Sequence, residues 1–136
     1  MVKLIFAIAL LIFVLTGCAA PIGYTSEPAP APLKITHEQA QEIMRDYDVI
    51  ILDVRTPDEF RSGHIENAVL LPLDELQDRA LDVIGDTDTI VLIYCRSGRR
   101  SADAAWLLNS LGFVNVYDFG GILDWPGNIV IPDGEP

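Results

Sequence analysis

Short apolar runs alternate with amphipathic stretches along most of this chain. Residues 90–94 (IVLIY) and 49–52 (VIIL) contain no charged position, which is typical of strands buried on both faces of a sheet. Between such runs lie segments with helical periodicity. Two of them open with a capping-box spacing, in which Thr36 and Thr56 are each followed three residues later by Gln or Glu.

This alternation predicts the order of the elements. We predict strands at residues 34–35, 49–52, 69–71, 90–94 and 114–117, and helices at 36–46, 56–63, 74–84 and 101–111, with a last helical turn reaching 125. Strands that alternate with helices favour an α/β fold with a mainly parallel sheet and helices on both faces.

The N-terminus has the pattern of an export signal. Lys3 precedes an unbroken apolar run at residues 4–15, which is shorter than the roughly 20 residues that span a bilayer but fits a signal-peptide core of about 7–15. Residues 15–18 (LTGC) resemble the bacterial lipobox, whose cysteine is lipidated and becomes the mature N-terminus. We therefore expect a lipoprotein signal peptide at residues 1–17 and a lipid on Cys18, with an ordinary signal peptide or a signal anchor as alternatives.

The rest of the chain divides simply. Residues 18–32 comprise the lipidated Cys and a tether. This segment is rich in Pro and small residues and is expected to be extended. One domain is predicted at residues 33–130, followed by a C-terminal tail at 131–136. The protein is then exported and lipid-anchored to the bacterial cell envelope, on the periplasmic side or the outer surface.

Charge and cysteine content narrow the chemistry. A formal net charge of −11 makes the protein a poor partner for nucleic acid or for an anionic membrane surface. The chain has two cysteines, so lipidation of Cys18 leaves Cys95 as the only thiol. A lone cysteine in an exported domain suggests reactivity, although a buried Cys acting as a small apolar residue is the alternative.

Cys95 opens the segment with the clearest chemistry. Residues 95–101 (CRSGRRS), hereafter the Cys95 loop, follow the most apolar strand and precede a helix, where open α/β sheets place their ligand sites. Backbone N–H groups and the helix dipole favour anions there, and Gly98 permits the positive φ that a tight loop needs. Beside these groups and three arginines, we expect the pKa of the thiol to fall from about 8.5 to about 3.5–7.5.

The Cys95 loop resembles the active-site loop of rhodanese-like sulfurtransferases. Further segments resemble signatures of that family in the same order: residues 53–55 (DVR), 59–65 (EFRSGHI), 68–72 (AVLLP) and 120–125 (GGILDW). The resemblance covers nearly the whole domain, and it implies the rhodanese-like three-layer α/β/α fold with a mainly parallel five-stranded central sheet. Glu66 and Asn67 stand where many relatives have Pro-Gly, a change that should not affect the chemistry.

The resemblance also implies a reaction. Cys95 would take a sulfane sulfur from thiosulfate or a related small anion, hold it as a persulfide and pass it to a thiol or cyanide, without a metal or organic cofactor. The six-residue spacing from Cys95 to Arg100 matches sulfur-transferring members, whereas the related phosphatases use seven, which disfavours phosphatase or arsenate-reductase activity. The alternatives are a sulfur-binding or sensing module without turnover, and an anion-binding scaffold with an inert thiol.

Roles follow for the residues around Cys95. Substrate binding is expected from the remainder of the loop: Arg96, Ser97, Gly98, Arg99, Arg100 and Ser101. We also expect Ser101 to cap the following helix. Asp53 and Arg55 are expected to support the loops through hydrogen bonds and an ion pair, with Glu59 a candidate partner of Arg55, and His64 to act as a scaffold residue.

The remaining candidate residues are assigned structural roles. With His37 and His64 well separated and no second cysteine in the domain, a metal site is not expected. His37 is expected to be exposed, Trp106 and Trp125 to anchor the core, and the protein to be a monomer.

Overall fold

The computed structural model describes residues 31–132. Its strands are β1 (Leu33–Lys34), β2 (Val49–Asp53), β3 (His64–Ile65), β4 (Val69–Leu70), β5 (Ile90–Cys95), β6 (Val116–Gly121) and β7 (Ile129–Val130). Its α-helices are α1 (His37–Asp46), α2 (Pro57–Arg61), α3 (Leu76–Ile84) and α4 (Arg99–Ser110), with 3-10 turns at Leu73–Glu75 and Ile122–Asp124. The predicted signal peptide, the lipidation site Cys18, most of the tether and the end of the tail lie outside the described residues.

Five strands form one sheet in the order β1-β6-β5-β2-β4, and every neighbouring pair is parallel. The most apolar strand, β5, is central, between β2 and β6. The predicted parallel five-stranded sheet is therefore confirmed.

The side chains of β5 alternate between two cores, as the twofold period of a strand requires. Val91, Ile93 and Cys95 face one cluster, which includes buried residues of α3 and α4. Leu92 and Tyr94 face the other, to which α1 contributes. Helices thus cover both faces of the sheet, and the three-layer α/β/α arrangement is confirmed.

Local signals placed the first two helices correctly. Thr36 and Thr56 are N-caps with complete capping boxes, and Pro57 occupies the first turn of α2. The predicted helix at 74–84 is divided between a 3-10 turn and α3, and the predicted strand at 114–117 lies at Val116–Gly121.

Three further features differ from the sequence predictions. A two-stranded antiparallel sheet of β3 and β7 was not predicted, since each strand has only two residues. Trp106 is 57% exposed, so its assignment to the core was wrong; the buried side of α4 carries Ala104, Ala105 and Leu108. His37 is half-buried, its ring edge-to-face with that of Trp125 at 5.5 Å between centroids.

No helix among residues 31–132 combines the length and apolar character needed to cross a bilayer. The longest, α4, has 12 residues.

Candidate active site

Cys95 is the last residue of β5 and lies under the N-terminus of α4. Because its side chain shares a sheet face with Ile93, it points toward the layer that contains α4 rather than toward α1. The residue is only 1% exposed. The thiol is therefore buried at the carboxyl edge of the sheet, beneath the loop that leads into the helix.

The turn after Cys95 directs backbone N–H groups at its sulfur. Gly98 has φ 100°, the predicted positive value, and its N–H donates to Cys95 Sγ at 3.1 Å. A side chain at this φ would be strained, so glycine allows the chain to fold back within hydrogen-bond distance of the sulfur.

These donors lower the pKa of the Cys95 thiol. Burial is the largest single influence and raises the pKa, but the backbone N–H groups of Ser101, Gly98 and Ser97 and the hydroxyl of Ser101 all lower it. The combined effect places the pKa below its ordinary value, in the direction predicted from the sequence. The thiolate is the reactive form of cysteine, so the loop favours a nucleophile.

Ser101 does not cap the helix, contrary to the sequence prediction. The helix begins two residues earlier, at Arg99, with Gly98 as its N-cap. The Ser101 side chain is instead buried, and its hydroxyl lies within hydrogen-bond distance of two carbonyl oxygens, that of Gly98 at 3.0 Å and that of Gly120 at 3.2 Å. It therefore ties the Cys95 loop to β6.

β6 reaches the loop through an irregularity in its pairing with β5. Ile93 pairs with Asp118, but the next residue, Tyr94, pairs with Gly120, so Phe119 is left over. Such a bulge redirects the strand locally, and it brings Gly121 opposite Cys95.

Gly121 is required by the closeness of this contact. A Cβ on Gly121 would lie 2.5 Å from the carbonyl oxygen of Arg96 and 2.8 Å from the Cα of Ser97. Both are backbone atoms, which cannot move aside easily. The Gly-Gly pair is visible in the sequence, but this contact is not, because it depends on the bulge.

Arg100 is bound by Glu59 of α2. Its two terminal nitrogens donate to the two carboxylate oxygens, both at 2.7 Å. This bidentate pairing is the main reason why the pKa of Glu59 falls to about 2, although partial burial opposes it. The suggested Arg55–Glu59 pair is therefore wrong: Glu59 holds the loop arginine, and at the same time accepts from the backbone N–H of Thr56.

Asp53 and Arg55 form their own buried ion pair at the end of β2. Arg55 Nη2 donates to Asp53 Oδ2 at 2.6 Å and to the Gly63 carbonyl at 2.8 Å, and its guanidinium lies 5.6 Å from the centre of the Tyr94 ring. The pair thus joins β2 to the loop before β3, next to the strand that ends at Cys95.

The remaining predicted site residues are exposed or half-buried. Arg96, Ser97 and Arg99 of the Cys95 loop are exposed. His64 is half-buried, stacked on Phe60 at 3.7 Å between ring centroids, with Nδ1 3.0 Å from the Phe60 carbonyl oxygen. Residues 31–132 contain no group of three or more His, Cys, Asp or Glu side chains placed to hold a metal ion.

Comparison with known proteins adds a family relationship. Residues 36–127 match the family model described as the rhodanese-like domain. The chain is 33% identical over 73 residues to thiosulfate sulfurtransferase PspE of Escherichia coli, covering 54% of this chain and 70% of that protein. It is 37% identical over 99 residues to a sulfurtransferase of Allochromatium vinosum, covering 70% and 91%. A crystal structure of a rhodanese-like domain protein from Staphylococcus aureus has a TM-score of 0.66 and 31% identity, covering 74% of this chain and 99% of that one.

Proposed function

This chain belongs to the rhodanese-like domain family, and on that premise we propose that it transfers sulfur through a persulfide on Cys95. The observation that carries the proposal is the hydrogen bond from Gly98 N–H to Cys95 Sγ, 3.1 Å long, in a loop whose donors lower the thiol pKa despite burial. An inert core cysteine has no need of such donors. Two relatives named as sulfurtransferases support the same chemistry.

The reaction has two displacement steps. The Cys95 thiolate attacks the sulfane sulfur of thiosulfate or a related anion; the sulfur–sulfur bond of the donor breaks, and sulfite leaves with its electron pair. A thiolate or cyanide then attacks the outer sulfur of the persulfide and regenerates the Cys95 thiolate. The outer sulfur lies about 2 Å beyond Sγ, so the same N–H groups stabilise both anions.

The arginines of the Cys95 loop have two different roles. Exposed Arg96 and Arg99 attract the anionic donor to the Cys95 loop, in a chain whose net charge is −11. Arg100, whose charge is shared with Glu59, supports the loop from within.

The supporting residues hold this arrangement in place. Asp53 and Arg55 fix the end of β2, and His64 holds the segment that follows α2. Positioning of this kind keeps a nucleophile in its productive geometry.

Mass spectrometry tests the reaction directly. Incubation of the purified protein with thiosulfate should give a species heavier by one sulfur atom, and addition of cyanide should remove that mass and release thiocyanate. The variant Cys95→Ser retains Cys18 and serves as the control, since it should gain no sulfur. An unchanged mass in the wild-type protein would refute the proposal.

Burial of the nucleophile favours one second candidate, a sulfur-binding or sensing module without rapid turnover. Cys95 is 1% exposed, so its sulfur offers an acceptor little accessible surface. Stoichiometric loading by thiosulfate, with no thiocyanate or thiol product after cyanide or a thiol is added, would support this candidate over the enzyme.

We further propose that the protein works as a monomer on the cell envelope, with its domain at residues 33–130 held by a lipid on Cys18. The support for the lipid anchor is the apolar run at residues 4–15 followed by a lipobox-like sequence. In a bacterial host, palmitate labelling and membrane association should both be lost in Cys18→Ser. Retention of the label in that variant would contradict the assignment.

A further inference from the structure

Asp118 of β6 carries a buried carboxylate that the proposed sulfur transfer does not use. The residue is 4% exposed, and a buried charge is costly unless it is hydrogen-bonded or paired with a cation. Asp118 belongs to none of the four ion pairs among residues 31–132. Its carboxylate instead accepts from the backbone N–H of Gly120, which lies 3.0 Å from Oδ1. This hydrogen bond is therefore the contact through which the carboxylate acts.

The hydrogen bond between Asp118 and Gly120 spans the bulge in β6. Ile93 and Tyr94 are consecutive in β5, but their partners in β6 are two residues apart. A carboxylate that accepts from the backbone N–H two residues later stabilises a local turn. Gly120 itself has φ 94°, in the region that favours glycine. The Asp118 side chain thus stabilises the backbone at the point where β6 departs from regular pairing.

Gly120 contacts the Cys95 loop at two points. Its carbonyl oxygen lies 3.2 Å from the hydroxyl oxygen of Ser101. A Cβ added to Gly98 would lie 3.5 Å from the Cα of Gly120, so the backbones of these two glycines pass close to each other. The bulge of β6 therefore meets the loop at both Gly98 and Ser101.

Gly98 and Ser101 both carry donors that act on the sulfur. The N–H of Gly98 donates to Cys95 Sγ at 3.1 Å, and the backbone N–H and hydroxyl of Ser101 help to lower the pKa of the thiol. Hydrogen bonds weaken steeply as their distance and angle depart from the ideal. A displacement of Gly120 would therefore be transmitted to the donors that stabilise the thiolate.

We propose that Asp118 is a positioning residue for Cys95: by accepting from Gly120 N–H, it holds the bulge of β6 against the Cys95 loop and keeps the loop donors directed at the sulfur. The proposal rests on the role of Cys95 as the nucleophile, but the reactivity of its thiol can be measured without sulfur transfer. The essential group is the acceptor oxygen, since a negative charge near Cys95 would by itself oppose the thiolate.

Asp118→Asn and Asp118→Ala separate the acceptor oxygen from the charge. Both variants lack the charge, but asparagine retains an oxygen that can accept from Gly120 N–H, whereas alanine does not. Alkylation of Cys95 by iodoacetamide over a range of pH, measured by peptide mass in the full chain with a non-ionic detergent, gives the midpoint of thiol ionisation. We expect this midpoint to be about 0.5–1 pH unit higher in Asp118→Ala than in Asp118→Asn, because misaligned donors stabilise the thiolate less well.

Sulfur loading provides a second measurement on the same two variants. At pH 7, thiosulfate should load Asp118→Ala about threefold to tenfold more slowly than Asp118→Asn, a change equivalent to the loss of about one hydrogen bond. The charged pairs near the loop, Glu59–Arg100 and Asp53–Arg55, are the same in both variants and do not contribute to the difference. A wild-type protein that takes up no sulfur would contradict the proposed function, whereas the alkylation midpoints would still decide the role of Asp118.

Two control variants remove comparable contacts elsewhere. Asp86→Ala deletes a carboxylate that also accepts from the N–H two residues later, that of Asp88 at 2.8 Å, but lies before β5, at the opposite end of that strand from Cys95. Ile51→Val removes a methyl group from the core on the other face of the sheet and measures the effect of lowered stability alone. Neither control should move the alkylation midpoint of Cys95.

Two outcomes would overturn the proposal: equal midpoints in Asp118→Ala and Asp118→Asn, or a rise of the same size in either control. Equal midpoints would mean that the hydrogen bond to Gly120 contributes to stability alone. Circular dichroism verifies that each variant is folded. If Asp118→Ala does not fold, Asp118→Leu fills the space of the lost side chain without supplying an acceptor, and the same difference from Asp118→Asn is expected.

Discussion

The Glu59–Arg100 pair is predicted to contribute measurably to the free energy of unfolding, and Glu59→Gln isolates that contribution. Glutamine retains an oxygen and an amide at the third position of α2, so it can preserve the capping contacts with Thr56. The substitution removes the negative charge opposite Arg100, whose two terminal nitrogens donate to the Glu59 carboxylate oxygens at 2.7 Å in the wild type.

The pKa of Glu59 sets the size of the effect. A carboxyl whose pKa falls from 4.5 to about 2 on folding contributes at most about 3.5 kcal/mol at neutral pH, at about 1.4 kcal/mol for each tenfold change in its ionisation constant. The Glu59 and Arg100 side chains are 26% and 30% exposed, so solvent screening reduces this figure. We expect Glu59→Gln to lower the free energy of unfolding by about 1–2 kcal/mol at pH 7.

The same pKa fixes the pH dependence. Because folding lowers the pKa of Glu59, its contribution is complete above about pH 4.5, where the carboxyl of the unfolded chain is also ionised. It declines as the pH falls through that value toward about 2. The stability difference between wild type and Glu59→Gln should therefore shrink between pH 4.5 and 2.

Urea unfolding across this pH range, followed by circular dichroism, measures the difference. The matched control is Glu75→Gln, which breaks the exposed Glu75–Arg79 pair, whose side chains are 43% and 52% exposed. This control should lose about 0.5 kcal/mol or less. Equal losses in the two variants, or a Glu59→Gln difference that stays constant down to pH 2, would refute the reasoning.

Three further predictions concern the Cys95 loop itself. Ser101→Ala should lower the free energy of unfolding by about 1–2 kcal/mol, because the Ser101 hydroxyl ties the loop to β6. It should also raise the pKa of Cys95, which that hydroxyl helps to lower. The control is Ser110→Ala, at an exposed serine of the same helix, which should change the free energy of unfolding by under about 0.5 kcal/mol. Gly121→Ala should cost about 1–3 kcal/mol in urea unfolding and slow persulfide formation, because its Cβ would meet the Arg96 carbonyl at 2.5 Å; unchanged stability would contradict this contact. Alkylation of Cys95 by iodoacetamide should reach half its maximal rate below pH 8.5, the approximate pKa of a free thiol, and a midpoint at or above that value would contradict the proposed thiolate.

The caps of the first two helices depend on residues close together in the sequence and were predicted correctly, whereas an ion pair between distant residues was not. Thr36 and Thr56 cap helices through contacts three residues away, so the local sequence contains all that is needed. The Glu59–Arg100 pair joins residues 41 positions apart, so the nearer Arg55 was the partner predicted for Glu59. Arg55 is instead held by Asp53, buried beside it at the end of β2.

At Cys95, strand periodicity combines two properties that were expected to be alternatives, burial in the core and reactivity of the thiol. The alternation that turns Val91 and Ile93 into one core also turns Cys95 toward it, so the thiol is buried like its apolar neighbours. Because Cys95 ends the strand, however, it also lies beside the start of α4, and Gly98 N–H lies 3.1 Å from the sulfur. Burial alone would keep the thiol protonated. At this end of the strand, burial keeps water away from the sulfur, while several N–H donors stabilise its anion. A core position and a reactive thiolate are therefore compatible there.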